Sequence, residues 1–180
     1  SIVPLFHLYG PMAGMLYPLR QGGVITYVPA LSSRVISATL QRTPVDFLVT
    51  VPEFLTTVMG RLEQKLSGWP RWLRYLLRHR IRQRISTTLH TLISGGAPLP
   101  ATLENKWRAL GFQVLQGYGL TETSPMISLN TAAAHRAGSV GKPLPGVQVK
   151  ITKDGEILVK GANVMKGYWQ NEEATKEMID

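Results

Sequence analysis

Gly117-Tyr118-Gly119-Leu120-Thr121-Glu122-Thr123 places backbone freedom, one aromatic face, two hydroxyls and a carboxylate within seven residues. It follows an apolar run at residues 112–115 that reads as a short buried strand, so it sits where a strand gives way to a loop. In an open α/β sheet the carboxyl ends of the strands are where ligands bind. The glycines permit positive φ and close backbone approach, Tyr118 offers a stacking face, Thr121 can bond an anionic oxygen, and Glu122 can hold a hard cation. That set suits a nucleotide carried with magnesium. A plain turn with a packing tyrosine and a helix cap is the other reading of the same residues.

A second glycine turn, Gly95-Gly96-Ala97-Pro98, follows a strand-like run at residues 89–93, and neighbouring strand ends can share one crevice. Neither turn has the Gly-x-Gly-x-x-Gly spacing, and no Gly-x-x-x-x-Gly-Lys-Ser/Thr loop occurs, so dinucleotide and P-loop readings lack support.

Working outward, strands are expected at residues 2–7, 24–28 and 46–51. Helices are expected at residues 8–19, interrupted by Pro11, at residues 33–41 capped by Ser32 or Ser33, and from Pro52 to about residue 66. Pro100 opens a helix that Gly111 ends. This alternation implies parallel pairing with right-handed crossovers. After Thr123 the character changes. A Gly/Pro-rich stretch at residues 138–146 leads to an alternating, half-buried strand at 147–151, the turn Lys153-Asp154-Gly155 and a partner strand at 156–160. Asn171 caps a last helix. The expected division is an α/β layer over residues 1–130 carrying the adenine and acyl site, and an incomplete β-rich piece over 131–180.

With 44% hydrophobic and 17% charged residues in 180, the chain is globular and long enough to bury a core. Cysteine is absent, which removes disulfide and thiolate chemistry and fits a cytoplasmic protein. Pro4, Pro11 and Pro18 with Gly10 and Gly14 argue against a spanning helix in the apolar start. The four histidines show no metal-ligand spacing. His7 ends an apolar run, where a functional role competes with that of a half-buried packing histidine.

The formal charge of +9 is concentrated in one place. Lys65, Arg71, Arg74, Arg78, Arg80, Arg82 and Arg84 carry seven of the positive charges, and no acid lies between Glu63 and Glu104. From Trp69 to Ile85 a helical wheel puts Trp69, Trp72, Leu73, Leu76 and Leu77 on one face and Arg71, Arg74, Arg78 and Arg82 opposite. Packing of the apolar face on the domain is the plain expectation. Adhesion to an anionic membrane surface stays open beside it, which would place the protein at the periphery of the inner membrane surface. Nucleic acid is not expected as a partner, because aromatic-interleaved readout motifs are missing.

The residues 117–123 closely resemble the Tyr-Gly-x-Thr-Glu signature of the adenylate-forming, AMP-binding superfamily. Pro4-Leu5-Phe6-His7, Ser94-Gly95-Gly96-Ala97-Pro98, Gly138-Ser139-Val140-Gly141-Lys142-Pro143 and Gly155-Glu156-Ile157 through Gly167-Tyr168-Trp169 match in the family's order. Among its branches the chain is similar to long- or medium-chain acyl-CoA synthetases. The resemblance implies an α/β fold, a parallel sheet flanked by helices followed by the start of a distorted antiparallel β-barrel. It implies a reaction of a fatty acid with ATP and magnesium to give acyl-AMP and pyrophosphate, then transfer to coenzyme A; delivery to a carrier protein, or a non-catalytic module of the same fold, are the alternatives. Tyr118 would stack on adenine beside backbone walls from Gly95, Gly96, Ala97, Pro98, Gln116 and Gly117. Thr121 would bind the α-phosphate, Glu122 the magnesium, and His7 would stand near the reacting carboxylate. Gly119, Leu120, Ser124 and Gly141 would line the acyl side. The family's Ser/Thr/Gly-rich phosphate loop is expected upstream of Ser1, and its ribose aspartate and catalytic lysine beyond Asp180. The chain thus reads as an internal fragment, inactive alone. The gating tryptophan of some members would fall at Pro11.

Overall fold

The computed structural model describes residues 1–179, with the side chain of Arg71 also set aside; Asp180 lies outside the described residues. Ile2 and Val3 are buried, yet the expected strand at residues 2–7 does not form. Pro4 has no N–H to give a ladder, and its carbonyl accepts from the His7 N–H at 3.3 Å while the His7 carbonyl accepts from Gly10 at 2.7 Å, so the backbone turns. Helix α1 (Tyr9–Pro11), a π-helical stretch (Met12–Leu16) and α2 (Tyr17–Arg20) then run on without a gap. Pro11 does not interrupt them, because it lies in the first turn, where an N–H has no intrahelical partner to lose. The run at residues 24–28 makes no strand either; Val24 is 96% exposed, and no strand among the described residues lies alongside to take up its backbone groups. Helix α3 (Ser33–Arg42) is capped as expected, the Ser32 hydroxyl accepting from the Val35 N–H at 3.3 Å, and buries Ile36 and Leu40.

β1 (Phe47–Thr50) feeds α4 (Pro52–Lys65), which Pro52 starts without losing a hydrogen bond. The segment from Trp69 to Ile85 departs from the single amphipathic helix expected. Leu77 (φ −91°, ψ 4°) splits it into α5 (Arg71–Leu76) and α6 (Arg78–Ile85). Leu73, Leu77 and Ile81, four residues apart, form the inward stripe, leaving Trp69, Trp72, Tyr75 and Leu76 exposed. Arg82 turns inward instead of joining the basic stripe: it donates to the Leu89 carbonyl at 3.1 Å, with its guanidinium 5.5 Å from the Phe112 ring centre.

β2 (Thr91–Ser94), α7 (Ala101–Ala109) and β3 (Gln113–Tyr118) complete the α/β layer. β1, β2 and β3 are parallel in that order, with Leu48 opposite Leu92 and Leu92 opposite Val114. Three parallel strands form, since residues 2–7 and 24–28, also expected as strands, stay out of the sheet. Leu48, Leu92 and Val114 meet the helices in a core with Leu55, Met59, Leu103 and Trp107, while Val49 and Ile93 belong to a second cluster with Val3 and Tyr9. Trp107 stacks edge-on against Phe112 at 5.4 Å, and its indole N–H donates to the Leu55 carbonyl, joining α7 to α4.

β4 (Ser128–Leu129) adds antiparallel to β3, and β5 (Lys142–Pro143) antiparallel to β4. Between them, the wholly buried Glu104 of α7 accepts from the Gly138 N–H at 2.8 Å through Oε2 and from His135 Nε2 through Oε1, fastening the loop to the helix. The hairpin β6 (Gln148–Ile151) and β7 (Ile157–Lys160) forms as expected but is not half-buried; all of β6 is exposed. Among the described residues these strands do not close into a barrel. Helix α8 (Glu172–Met178) is capped by Asn171, whose Oδ1 accepts from Ala174 at 3.1 Å. Among the described residues no helix is long and apolar enough to cross a membrane.

Candidate functional site

β2 and β3 end side by side, with Ser94 opposite Gln116, and their turns bound a cleft of about 250 Å³. His7 and Tyr9 reach it from the amino-terminal turn, Ser94, Gly95 and Gly96 from the end of β2, and Gly117, Tyr118, Gly119, Leu120, Thr121 and Glu122 from the end of β3. Pro125, Met126 and Leu129 close the far side. A wider hollow of about 410 Å³, lined by Gly167, Trp169, Glu172 and Thr175 among others, lies open to solvent and draws no residue from the ends of the parallel strands, where ligands of such sheets bind. Ala97, Pro98, Gln116, Ser124 and Gly141, also expected at the site, are not among its lining residues.

The local sequence explains the shape. A Cβ on Gly119 would stand 1.6 Å from the Pro125 carbonyl oxygen, so only glycine lets the return segment close over the turn. Gly141 has φ +80°, and a Cβ there would meet the Leu129 backbone at 2.1 Å; its visible role is to let the loop cross β4. Thr121–Thr123 form one 3₁₀ turn. The buried Thr123 hydroxyl accepts from the Leu120 N–H at 2.9 Å and donates to the Leu120 carbonyl at 3.0 Å, which fixes the turn and leaves Thr121 exposed.

Glu122 is held from the β-rich side. Tyr168 donates its phenol to Glu122 Oε1 at 2.8 Å, and this bond, with Glu122's own backbone N–H, holds the carboxyl below the usual carboxylate range. The Met165 N–H donates to the Glu122 carbonyl at 2.8 Å, and the Asn163 amide donates to the carbonyls of Thr123 and Met126 at 3.2 and 3.0 Å. Residues 163–168 thus brace both backbone and side chain of the turn.

The Tyr9 N–H donates to His7 Nδ1 at 3.4 Å, which leaves Nε2 as the ring nitrogen available to the cleft. The Tyr9 phenol donates toward the Ile93 and Thr50 carbonyls at 3.1 and 3.3 Å, and burial pushes it well above the usual range, making it a neutral brace between β1 and β2. Ser94 Oγ and Gln116 Oε1 are buried without hydrogen-bond partners at these same strand ends, polar atoms that a polar ligand can satisfy.

Among the described residues no three His, Cys, Asp or Glu side chains converge. Magnesium bound with a nucleotide needs no such cage, because one or two carboxylates and the phosphate oxygens complete its shell. Glu122, held in its charged form beside the Thr121 hydroxyl, fits that donor set.

Tyr9, Ser94, Pro125, Met126 and Leu129 were not among the site residues expected from sequence, nor were Asn163 and Tyr168 as braces. Ser94 and Tyr168 lie inside matched motifs, a usable signal; Pro125, Met126 and Leu129 become visible only when β4 folds back beside β3, Tyr9 only through its bonds to the Thr50 and Ile93 carbonyls, and Asn163 only through its bonds to the Thr123 and Met126 carbonyls.

The family model described as AMP-binding enzyme matches residues 1–169. The chain is similar to a long-chain-fatty-acid–CoA ligase of Escherichia coli, 37% identical over 99% of this chain and 31% of that protein. It is similar to a feruloyl-CoA synthase of Amycolatopsis sp, 31% identical over 98% of this chain and 35% of that one. Its fold matches the O-succinylbenzoate coenzyme A synthetase of Bacillus subtilis in complex with ATP and magnesium ion, with TM-score 0.75 and 26% identity over 100% of this chain and 36% of that chain. The chain therefore spans about a third of the length of these relatives. On the family match over residues 1–169, the chain belongs to the AMP-binding enzyme family.

Proposed function

We propose that the protein carrying these residues is an acid–thiol ligase that activates a fatty acid as its acyl-adenylate and passes it to coenzyme A. The observation that carries this reading is the convergence of Tyr118, Thr121 and Glu122 with His7 on one cleft at the ends of two parallel strands. Tyr118 offers its ring to adenine, and the turn at Gly95 and Gly96 offers backbone beside it. The Thr121 hydroxyl bonds the α-phosphate, and Glu122 is the carboxylate for magnesium. That ion, when bound, neutralises phosphate charge. An acid oxygen attacks the α-phosphorus as the bond to pyrophosphate breaks; the thiol sulfur then attacks the acyl carbonyl and AMP leaves. The chain's own part is placement and charge compensation, with His7 Nε2 assigned to the acid's carboxylate and Gly119 and Leu120 to the acyl side. The similarity to a fatty-acid ligase over nearly all of this chain supports the acyl substrate. The feruloyl relative makes an aromatic acid the second reading.

The same proposal places the enzyme in the cytoplasm, where ATP and coenzyme A are available. It divides the chain near residue 130, where parallel pairing gives way to antiparallel. The 180 residues alone are expected to release no pyrophosphate, because the phosphate loop and lysine implied by the family resemblance are not among them. The test is acid-dependent exchange of labelled pyrophosphate into ATP by the full protein, run with saturated fatty acids of graded length and with cinnamic-type acids, followed by detection of the acyl thioester. Exchange with fatty acids and thioester formation on coenzyme A are expected. Exchange with aromatic acids only, or thioester only on a carrier protein, contradicts the proposal.

A further inference from the structure

The segment from Trp69 to Ile85 is not absorbed by the site, and its structure differs from an ordinary amphipathic helix packed on a domain. Leu73, Leu77 and Ile81 already fill the inward side. The remaining apolar residues face out in steps of three and four: Trp69 is 40% exposed, Trp72 64%, and Tyr75 and Leu76 65% each. This ridge is threaded with cations. Arg74 bonds the Trp69 and Ser67 carbonyls at 2.9 and 3.3 Å, and the Arg78 guanidinium lies 4.1 Å from the Tyr75 ring centre. Arg78, Arg80 and Arg84 take part in no ion pair among the described residues, whose pairs are His90–Asp46, Lys106–Glu63 and His135–Glu104.

We infer that the α5–α6 corner is a docking surface for an anionic lipid bilayer, with Trp69, Trp72, Tyr75 and Leu76 entering the interface and Arg78, Arg80 and Arg84 meeting the headgroups. Charge complementarity selects this occupant. A protein surface laid over the ridge would have to bring its own acids or bury unpaired guanidinium groups, which is strongly unfavourable. An anionic headgroup layer supplies negative charge everywhere, accepts Trp and Tyr at the depth where they are most stable, and lets long arginines reach back to it. The exposed Phe6 and Val24 lack this company, since residues 1–32 hold Arg20 as their one Lys or Arg. The surface is independent of the cleft and of the ligase proposal, and it brings the protein to a phase in which apolar acids dissolve.

The test is co-sedimentation of the full chain with vesicles of phosphatidylcholine alone and with added phosphatidylglycerol, at low and high salt, with Trp fluorescence recorded in parallel. Partition into anionic vesicles, a blue shift and loss at high salt are expected. Arg78→Glu/Arg80→Glu/Arg84→Glu should reduce partition well over tenfold, since each surface cation is worth about 1 kcal/mol, roughly fivefold, near such a membrane. Trp72→Ala, at a solvent-facing position, should reduce the blue shift without changing the circular dichroism, and Lys150→Glu/Lys153→Glu on the exposed hairpin should leave partition unchanged. Equal partition into both lipids, insensitivity to the arginine changes, or binding to RNA with none to vesicles would overturn the inference.

Discussion

Tyr118, Thr121 and Glu122 divide the candidate chemistry among stacking, phosphate contact and charge, and each role predicts a different loss. Tyr118→Ala should weaken AMP binding by about 1–3 kcal/mol, the usual worth of base–aromatic stacking, while Tyr118→Phe should retain it in calorimetric titration. Glu122→Gln in the full protein should slow pyrophosphate exchange by on the order of 10²-fold with less effect on AMP affinity, as expected for charge compensation made mainly in the transition state. Tyr168→Phe addresses the brace. The Tyr168 phenol stabilises the charged Glu122, so the variant's carboxyl should titrate at higher pH, closer to an ordinary glutamate, by carbon NMR. The sign for folding follows: with its folded pKa depressed, Glu122 contributes stability above the ordinary carboxylate range and loses it as pH falls through the depressed value. These residues were legible because a turn between a strand and a loop is short enough for residue type and spacing to place them. Tyr168 was legible only as part of a motif, since 46 residues separate it from the carboxylate that it meets.

At the level of elements, the helices and strands with local signals formed where their signals lie: Ser32 and Asn171 cap, Pro52 starts a helix, and the turn at residues 153–155 joins a hairpin. The failures arise from features beyond the local pattern. Residues 2–7 and 24–28 have strand composition but no strand beside them, and the helical wheel of residues 69–85 assumes one straight axis that Leu77 breaks. Pairing and packing partners decide such elements, and a periodicity count does not contain them. Two long-range ties dominate the result. Glu104→Ala removes the acceptor for His135 and Gly138 inside the protein and should cost about 3 kcal/mol in denaturant unfolding, within the range for breaking a buried pair. Tyr9→Phe leaves the Ile93 and Thr50 carbonyls without the phenol and should cost about 1 kcal/mol with the cleft's nucleotide affinity nearly unchanged.

Across the whole molecule, the alternation of strands and helices correctly implied a parallel sheet, and the parallel order puts the two glycine turns next to each other at its carboxyl edge. The number of parallel strands and the exposure of β6 were not legible, because both depend on what lies beside those segments and not on their own pattern. The cleft is also a joint product of two regions: β2 and β3 supply its floor, while residues 163–168, reached through β4 and β5, brace its acidic turn. The central claim is that this cleft receives an acyl-adenylate. Titrating the isotope-labelled chain with a non-hydrolysable acyl-adenylate analogue, and following backbone amide shifts, tests it directly. Saturable shifts at Gly95, Gly96, Gly117, Tyr118, Gly119, Thr121 and Glu122, abolished by Tyr118→Ala, are the expected result; shifts clustered beside Trp169 and α8, or an unperturbed glycine turn at saturating analogue, would contradict it.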